Sequence, residues 1–176
     1  MNIWHDISPK RISKDDFMAV IEIEKGSKCK YEMDKDTGLL KLDRILYTST
    51  HYPANYGFIP RTYADDLDPL DVLLLCSEKI RPMTMVRCYP IGVMTMMDSG
   101  RSDEKIIAVP FDDPTYNSYT DISQIPQHKF EEIRHFFKVY KELEGKETVV
   151  NEIRGAEEAR KVIQKAIDDY IENYCK

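Results

Sequence analysis

Three aspartates lie within six residues of one another in the segment Asp66-Leu67-Asp68-Pro69-Leu70-Asp71-Val72, directly before an apolar run. The side chains of an extended backbone alternate between two sides, so Asp66 and Asp68 can point the same way. A bend at Pro69 can bring Asp71 back towards them. Carboxylates this close repel one another unless cations or protons intervene, and Mg²⁺ suits an open cluster of oxygen ligands. The segment alone is equally compatible with an acidic surface turn between two strands.

Four further segments carry ionisable or tyrosine side chains that a purely structural strand or turn does not need. They are Val20-Ile21-Glu22-Ile23, Lys30-Tyr31-Glu32, the stretch from Tyr52 to Ile59, and the stretch from Asp98 to Lys105. The last of these is interpreted as a polar loop that leads into a strand. Taken singly, each segment is more typical of solvated or cross-strand paired residues than of a catalytic site.

The elements that must position these residues change type along the chain. The first two thirds alternates short runs rich in Tyr, Val, Ile and Thr with Gly, Asp and Pro clusters, which predicts strands and turns. The predicted strands are Ala19–Ile23, Cys29–Met33, Leu39–Leu42, Ile45–Thr48, Asn55–Ile59, Val72–Cys76, Met85–Val93 and Lys105–Val109. In the last third, apolar residues recur every three to four positions, which predicts one helix from about Pro126 to Gly145 and a second after Gly155. This order predicts an α+β fold, a small antiparallel barrel with helices on its outside.

Composition and charge narrow the function further. A chain of 176 residues, 42% of them hydrophobic, is expected to form one domain over residues 1–176. The net charge of −6 disfavours a nucleic-acid-binding protein. The four cysteines show no CxxC or zinc-finger spacing, and no secretory signal or membrane-spanning stretch is seen, so we expect reduced thiols and a cytoplasmic location.

In combination, these segments resemble the family I soluble inorganic pyrophosphatases of the bacterial type. The matching motifs follow one another in the family's order over nearly the whole chain. They comprise the segments above, the aspartate run, Asp43-Arg44, and the stretch from His135 to Lys141. The resemblance implies a five-stranded, OB-like barrel and hydrolysis of pyrophosphate to two orthophosphates by a metal-activated water. It also implies several Mg²⁺ ions per site and a homo-oligomer, with a hexamer favoured because the compact length resembles the bacterial branch.

The resemblance also implies a role for each matching position. Metal-binding carboxylates are expected at Asp66, Asp71, Asp98 and Asp103. Asp68 is expected to contact the attacking water and to act as the general base. The network of metal-bound waters is expected to be shaped by Glu22 and Glu32. Contacts with phosphate oxygens are expected from Lys30, Arg44, Tyr56, Lys105, Tyr140 and Lys141.

The sequence departs from the family pattern at Leu67, where the family usually has glycine or serine. A bulky side chain restricts the backbone there, but all three aspartates remain, so we expect an active enzyme. The formal charges of the predicted site support metal binding. Seven carboxylates against four cationic side chains leave −3, which several divalent cations would balance when a tetravalent anion binds.

Two other classes of function fit the sequence less well. Another magnesium-dependent phosphohydrolase of the DxDx[TV] type would need threonine or valine at Leu70, and an EF-hand loop would need an acid or asparagine two residues after Asp68. A non-enzymatic OB-like binding module would need a basic groove with aromatic platforms, which the acidic composition does not favour.

Overall fold

The computed structural model describes residues 1–176, and its regular elements are mainly strands followed by two long helices. The strands are β1 (Phe17–Ile23), β2 (Cys29–Met33), β3 (Leu40–Ile45), β4 (Asn55–Phe58), β5 (Asp71–Leu74), β6 (Thr84–Asp98), β7 (Arg101–Pro110) and β8 (Thr148–Gly155). The α-helices are α1 (Gln127–Val139) and α2 (Ala156–Tyr174). Short 3₁₀ helices occur at Pro9–Arg11, Ile122–Gln124 and Glu142–Glu144.

Five of the strands close into a ring. The pairs follow the order β1–β4, β4–β5, β5–β7, β7–β6 and β6–β1, while β8 adds to β6, and β2 with β3 forms a separate two-stranded sheet. The predicted α+β fold, a five-stranded OB-like barrel with flanking helices, is confirmed. The prediction of a wholly antiparallel barrel was wrong in one respect, because β5 and β7 are parallel.

One glycine allows two of these strands to approach each other closely. A Cβ atom added to Gly57, on β4, would lie 1.9 Å from the carbonyl oxygen of Val20 on β1. Any side chain here would therefore collide with the backbone of the neighbouring strand. The stretch from Tyr52 to Ile59 is thus constrained by strand packing at Gly57 as well as by its tyrosines.

Alternate residues of the ring strands pack on opposite faces, and a different helix covers each face. Leu73 on β5 and Ile107 on β7 belong to one core cluster together with Phe137 of α1. Val72 and Ile106, one position earlier on each strand, belong to a second cluster that includes residues of α2. Because side chains alternate, Asp71 and Lys105 lie on the same face as Leu73 and Ile107, towards α1.

Two strands that frame the polar region differ from their sequence-based prediction. The stretch from Asp98 to Lys105 is mostly strand, because β6 and β7 are joined by a hairpin turn of only Ser99 and Gly100. Both turn residues have positive φ angles, 51° and 81°, as tight two-residue hairpin turns require. The polar side chains of this stretch are therefore held at fixed ladder positions instead of in a loop.

Two further strand predictions were also inaccurate. A single strand, β3, replaces the predicted strands Leu39–Leu42 and Ile45–Thr48; it ends at Ile45, opposite the first residue of β2, Cys29, and residues 46–48 are not strand. No strand was predicted between the helices, but β8 lies there, because the long β6 offers a free edge from Gly92 to Asp98. The final helix was predicted correctly, and α1 ends at Val139, before the 3₁₀ turn that Gly145 terminates.

Neither of the two α-helices has the combination of length and apolar composition that a membrane-crossing helix needs.

The turn that carries the aspartates contains a strained residue. Leu67 has a φ angle of 68° and a side chain that is mostly exposed. A left-handed conformation costs an L-residue about 1–2 kcal/mol, and exposure leaves little packing to offset this cost. The loop is closed by hydrogen bonds from Ala64 N to Asp68 O (2.8 Å) and from Leu67 N to Ala64 O (3.0 Å).

We expect Leu67→Gly to raise the free energy of unfolding by about 0.5–1 kcal/mol, because relief of the left-handed strain exceeds the entropy that glycine adds to the unfolded chain. Leu67→Val should lower it by about 1 kcal/mol, because a β-branched residue tolerates positive φ poorly. Urea unfolding of both variants and the parent tests this. Equal destabilisation by the two substitutions would contradict the assignment of strain to Leu67.

Candidate active site

A polar pocket of about 490 Å³ opens on the α1-facing side of the barrel, between β5, β7 and the β2–β3 hairpin. Eight carboxylates line it against five ammonium groups, a formal charge of −3. The acids are Glu22, Glu32, Asp34, Asp66, Asp68, Asp71, Asp98 and Asp103, and the bases are Lys30, Lys35, Lys41, Lys105 and Lys141. The pocket therefore combines sites for cations with fixed positive charges that suit an anion.

Three carboxylates converge at the base of this pocket. Asp66 comes from the strained turn, Asp71 begins β5, and Asp103 lies on β7. One oxygen from each lies within 4.8 Å of the others, a grouping that can hold a metal ion. Carboxylate oxygens are the ligands that Mg²⁺ and Ca²⁺ take in proteins. The structure thus brings together three of the four predicted metal ligands.

A buried ammonium group lies against this cluster. The side chain of Lys105 is 2% exposed, and its Nζ donates to Asp71 Oδ2 at 3.0 Å and to Asp103 Oδ2 at 3.2 Å. It also donates to the hydroxyl of Tyr56 at 2.7 Å. All three donor positions of the ammonium group therefore have partners, so the lysine is fixed between the two carboxylates and the phenol.

The other ammonium groups at the rim are paired in the same manner. Lys141 follows α1, and its Nζ donates to Oδ2 of Asp98 over 2.5 Å. Asp98 is the last residue of β6. Lys30 on β2 lies 3.3 Å from Glu32 and 3.1 Å from Asp43 on β3. These two cations therefore have anionic partners in the protein that a bound cation or anion could replace.

Glu22 lies deepest among the acids. It is almost fully buried, and its Oε2 accepts a hydrogen bond from the backbone N–H of Met33 at 2.7 Å. This contact ties β1 to the end of β2, so the β2–β3 hairpin is held over the pocket.

Arg44 is placed differently from the other predicted residues. Its Nε lies 2.8 Å from Glu144 Oε1 and its Nη1 lies 2.5 Å from Asp43 Oδ2. The contact with Glu144 is an ion pair without hydrogen-bond alignment, since Arg44 Nε, Arg44 Nη2 and Glu144 Oε2 are all buried without a hydrogen-bond partner. A buried guanidinium nitrogen without an acceptor is a donor that an anion could use.

Comparison with known proteins identifies the family. The inorganic pyrophosphatase family model matches residues 19–171. Soluble inorganic pyrophosphatase 2 of Chlamydomonas reinhardtii is 53% identical over 171 residues, which are 97% of this chain and 89% of that protein. The structure of the inorganic pyrophosphatase from Helicobacter pylori matches with a TM-score of 0.89 at 41% identity, covering 94% of this chain and 98% of that one. That from Thermus thermophilus matches with a TM-score of 0.92 at 35% identity, covering 97% and 99%.

The chain belongs to the inorganic pyrophosphatase family. The relatives named above come from an alga and from bacteria, so they establish the family, and the bacterial type stays a prediction. The family and the acidic cluster together indicate dependence on divalent metal ions.

The pyrophosphatase pocket is lined by twelve of the thirteen residues predicted from the sequence, all except Arg44. Two residues that contact predicted site residues were not singled out from the sequence. Glu144 pairs with Arg44, and Lys35 lies 2.5 Å from Asp68. Lys35 lies between two predicted strands, and Glu144 lies near the end of a predicted helix, so neither had a local signal. Only the tertiary fold brings them to the site.

The acids of the pyrophosphatase pocket titrate abnormally because they are buried together. Burial raises the pKa of Glu22 to about 8, and the nearby Asp71 adds to the effect. Burial also raises the pKa of Asp66 to about 7, with contributions from Asp71 and Asp103. The pKa of Asp103 is raised as well, mainly by burial, although Lys105 opposes this. Without cations, part of the cluster is therefore protonated near neutral pH.

Neighbours of opposite charge determine the pKa of two other groups in the pocket, Asp98 and Lys105. Burial alone would raise the pKa of Asp98, but the ammonium group of Lys141 outweighs it, so the pKa is lowered. Burial would lower the pKa of Lys105, but Asp103 and Asp71 outweigh it and hold the pKa well above its ordinary value. Both groups are therefore charged at neutral pH.

We expect the free energy of unfolding of the metal-free protein to fall as pH rises from about 5 to about 8, because Glu22 loses its proton over this range. A carboxyl group whose pKa is raised by folding binds more protons in the folded state, so deprotonation favours the unfolded state. Glu22→Gln, which keeps an acceptor for Met33 N–H, should flatten this slope by up to ~1.4 kcal/mol per pH unit. Urea unfolding in excess EDTA measures it. Glu78→Gln, at an exposed position, is the control, and equal slopes in the two variants would contradict the prediction.

Proposed function

We propose that this chain hydrolyses inorganic pyrophosphate to two orthophosphates in the described pocket, by direct attack of water without a covalent intermediate. Membership of the pyrophosphatase family establishes the reaction class. The observation that carries the assignment to this pocket is the convergence of Asp66, Asp71 and Asp103 beside the buried ammonium of Lys105. The three carboxylates attract cations, and the neighbouring ammonium group suits phosphate oxygens.

The residues of the pocket fit divalent cations, and we propose Mg²⁺ as the physiological ion. Asp66, Asp71 and Asp103 would hold the first ion. Burial raises the pKa of Asp66, and repulsion from Asp71 and Asp103, which a cation would relieve, raises it further. Asp98 would contribute to further ions, and Glu22 and Glu32 would accept hydrogen bonds from the waters around them. When bound, such ions lower the pKa of a water molecule and neutralise phosphate charge.

Asp68 is proposed to accept the proton of the attacking water. It lies between Asp66 and Asp71 in the sequence and lines the same pocket, half exposed, so water can reach its carboxylate. A positioned general base typically contributes about 10²–10⁴-fold to the rate. The buried ammonium group of Lys105 contacts Asp71 and Asp103, so it does not neutralise the charge of Asp68.

The substrate phosphates are proposed to be bound by the basic and phenolic groups of the pocket. These are Lys30, Arg44, Tyr56, Lys105, Tyr140 and Lys141. In the pair of Lys141 and Asp98, a phosphate oxygen would replace the carboxylate on the lysine, which leaves the carboxylate free for a cation. The unpartnered Nη2 of Arg44 offers a further donor. These groups would stabilise the charge that develops on the leaving phosphate.

Three wider properties also belong to the proposal. The chain is proposed to form one domain over residues 1–176, to assemble into a homo-oligomer, with a hexamer favoured, and to work in the cytoplasm without nucleic-acid or membrane partners. The formal charge of −3 around the pocket repels a nucleic acid backbone, which supports a small anion with its counter-ions as the ligand. Sedimentation of the purified protein tests the assembly.

We expect hydrolysis of pyrophosphate to require a divalent cation, to proceed with Mg²⁺ and to be inhibited by Ca²⁺. Ca²⁺ takes longer bonds and looser geometry than Mg²⁺, so it should bind the same carboxylates without aligning the reactants. Phosphate release is measured with each ion and in excess EDTA. Full turnover in EDTA would refute the metal requirement, and unchanged rates with added Ca²⁺ would refute the geometric argument.

Replacing cluster acids and replacing Arg44 should have separable effects. We expect Asp71→Asn and Asp103→Asn to weaken metal binding at least tenfold, because each removes a charge from the group that holds the cation. Arg44→Ala should mainly weaken pyrophosphate binding, because a guanidinium group suits phosphate oxygens. Calorimetric titration with Mg²⁺ and with a pyrophosphate analogue separates the two effects, with Arg81→Ala at an exposed position as a charge control. Loss of metal affinity alone in Arg44→Ala would contradict these roles.

Asp68→Asn should reduce the single-turnover rate of hydrolysis by about 10²–10⁴-fold while metal and pyrophosphate affinities change far less. The amide keeps the shape of the side chain but does not accept a proton at neutral pH. The rate is measured at saturating Mg²⁺ for the variant and the parent. A rate within about threefold of the parent would place the base elsewhere.

A further inference from the structure

We infer that Lys35, at the tip of the β2–β3 hairpin, is a positioning residue that holds the Asp68 carboxylate and its strained turn in the reactive arrangement. The inference rests on the proposed role of Asp68 as the general base. Lys35 is not among the site residues predicted from the sequence.

Lys35 contacts the aspartate turn at two points. Its Nζ lies 2.5 Å from Asp68 Oδ1 and donates to the backbone carbonyl of Leu67 at 3.4 Å. The second contact falls on the residue whose backbone is left-handed, with a φ angle of 68°. One ammonium group therefore holds both the carboxylate and the strained peptide that orients it.

The lysine is itself supported from two sides. Its Nζ lies 5.7 Å from the centroid of the Trp4 ring, close enough for a cation–π contact. Trp4 is 3% exposed and donates its indole N–H to the carbonyl of Thr62 at 2.9 Å. The backbone carbonyl of Lys35 accepts from the side-chain amide of Asn2 at 3.3 Å. The N-terminal segment thus supports the lysine.

The hairpin tip that carries Lys35 is closed by its own hydrogen bonds. Asp34 N–H donates to Leu39 O at 2.8 Å, and Gly38 N–H donates to Asp34 O at 2.8 Å. The Asp34 carboxylate accepts from the backbone N–H of Thr37 at 3.0 Å and from its hydroxyl at 2.5 Å. A tip closed in this way presents its lysine from a defined position.

The distribution of charges in the pocket distinguishes Lys35 from the other ammonium groups. Lys105 pairs with the metal-binding cluster, Lys141 with Asp98, and Lys30 with Glu32 and Asp43. Lys35 alone among them pairs with Asp68. Lys79 is exposed, lies outside the pocket and makes no ion pair, so it is a control for the loss of a surface ammonium group.

The exposure of the pair determines which measurement is informative. Both side chains are 50% exposed, and exposed ion pairs add little to global stability. A positioning role therefore predicts an effect on the chemical step without a matching effect on unfolding. Small misplacements of a reacting group can cost up to ~10²-fold in rate.

The test is a double-mutant cycle on the full chain at saturating Mg²⁺, with pyrophosphate as the probe. Lys35→Met keeps the apolar stem over Trp4 and removes the ammonium group. We expect it to lower the single-turnover rate about tenfold, with the KM for pyrophosphate, the calorimetric affinity for Mg²⁺ and the melting temperature nearly unchanged. Lys35→Arg should restore the rate to within about threefold, and Lys79→Met should leave it unchanged.

The decisive comparison is the same substitution in the Asp68→Asn background. If Lys35 acts through the Asp68 carboxylate, Lys35→Met should change the rate there by less than about twofold. An equal loss in both backgrounds, a rise in KM with an unchanged rate, or no loss in the parent would overturn the inference while the proposed function stands. A rate for Asp68→Asn close to the parent would overturn the base assignment and the inference together.

Discussion

The structure depends on one buried positive charge. Lys105 is enclosed on all sides, yet it carries its proton because Asp71 and Asp103 lie within hydrogen-bonding distance and Tyr56 takes its third bond. A buried ion pair is costly to desolvate, and removing one partner usually costs more than the pair contributes. The ammonium group thus allows two carboxylates to be held together beneath the pocket before any cation arrives. The placement of Lys105 beside these carboxylates is consistent with the closed ring of strands, with the core face that α1 covers, and with the orientation of β7.

The same charge explains why the pocket suits both cations and anions. The protein uses a fixed ammonium for part of the neutralisation and leaves the rest to mobile ions, since the formal charge around the pocket is still −3. Glu22 and Asp66, the two pocket acids with the largest rises in pKa, are not in contact with Lys105. Protons therefore occupy the places that cations would otherwise fill, which couples metal binding to proton release.

The sequence predicted most of this site because the chemistry is local. Asp66, Asp68 and Asp71 are close together in the chain, and the alternation of side chains along β7 places Asp103 and Lys105 on one face. The resemblance to a known family supplied the remaining positions. Long-range partners were not predictable: Glu144, in the short 3₁₀ helix after α1, meets Arg44 of β3 only in the tertiary fold. Similarly, β8 was not predicted because it forms by pairing with the free edge of β6. No local pattern in residues 148–155 indicates that pairing.

The parallel pairing of β5 with β7 has a consequence for the order of folding. A hairpin cannot join two parallel strands, so Asp71 and Lys105 can meet only after the chain has passed through β6 and returned. Contacts across such separations form late, because the loop-closure entropy must be overcome first. We therefore expect Asp71 of β5 and the neutralising Lys105 of β7 to leave water together, so that the carboxylate is not buried ahead of its counter-charge.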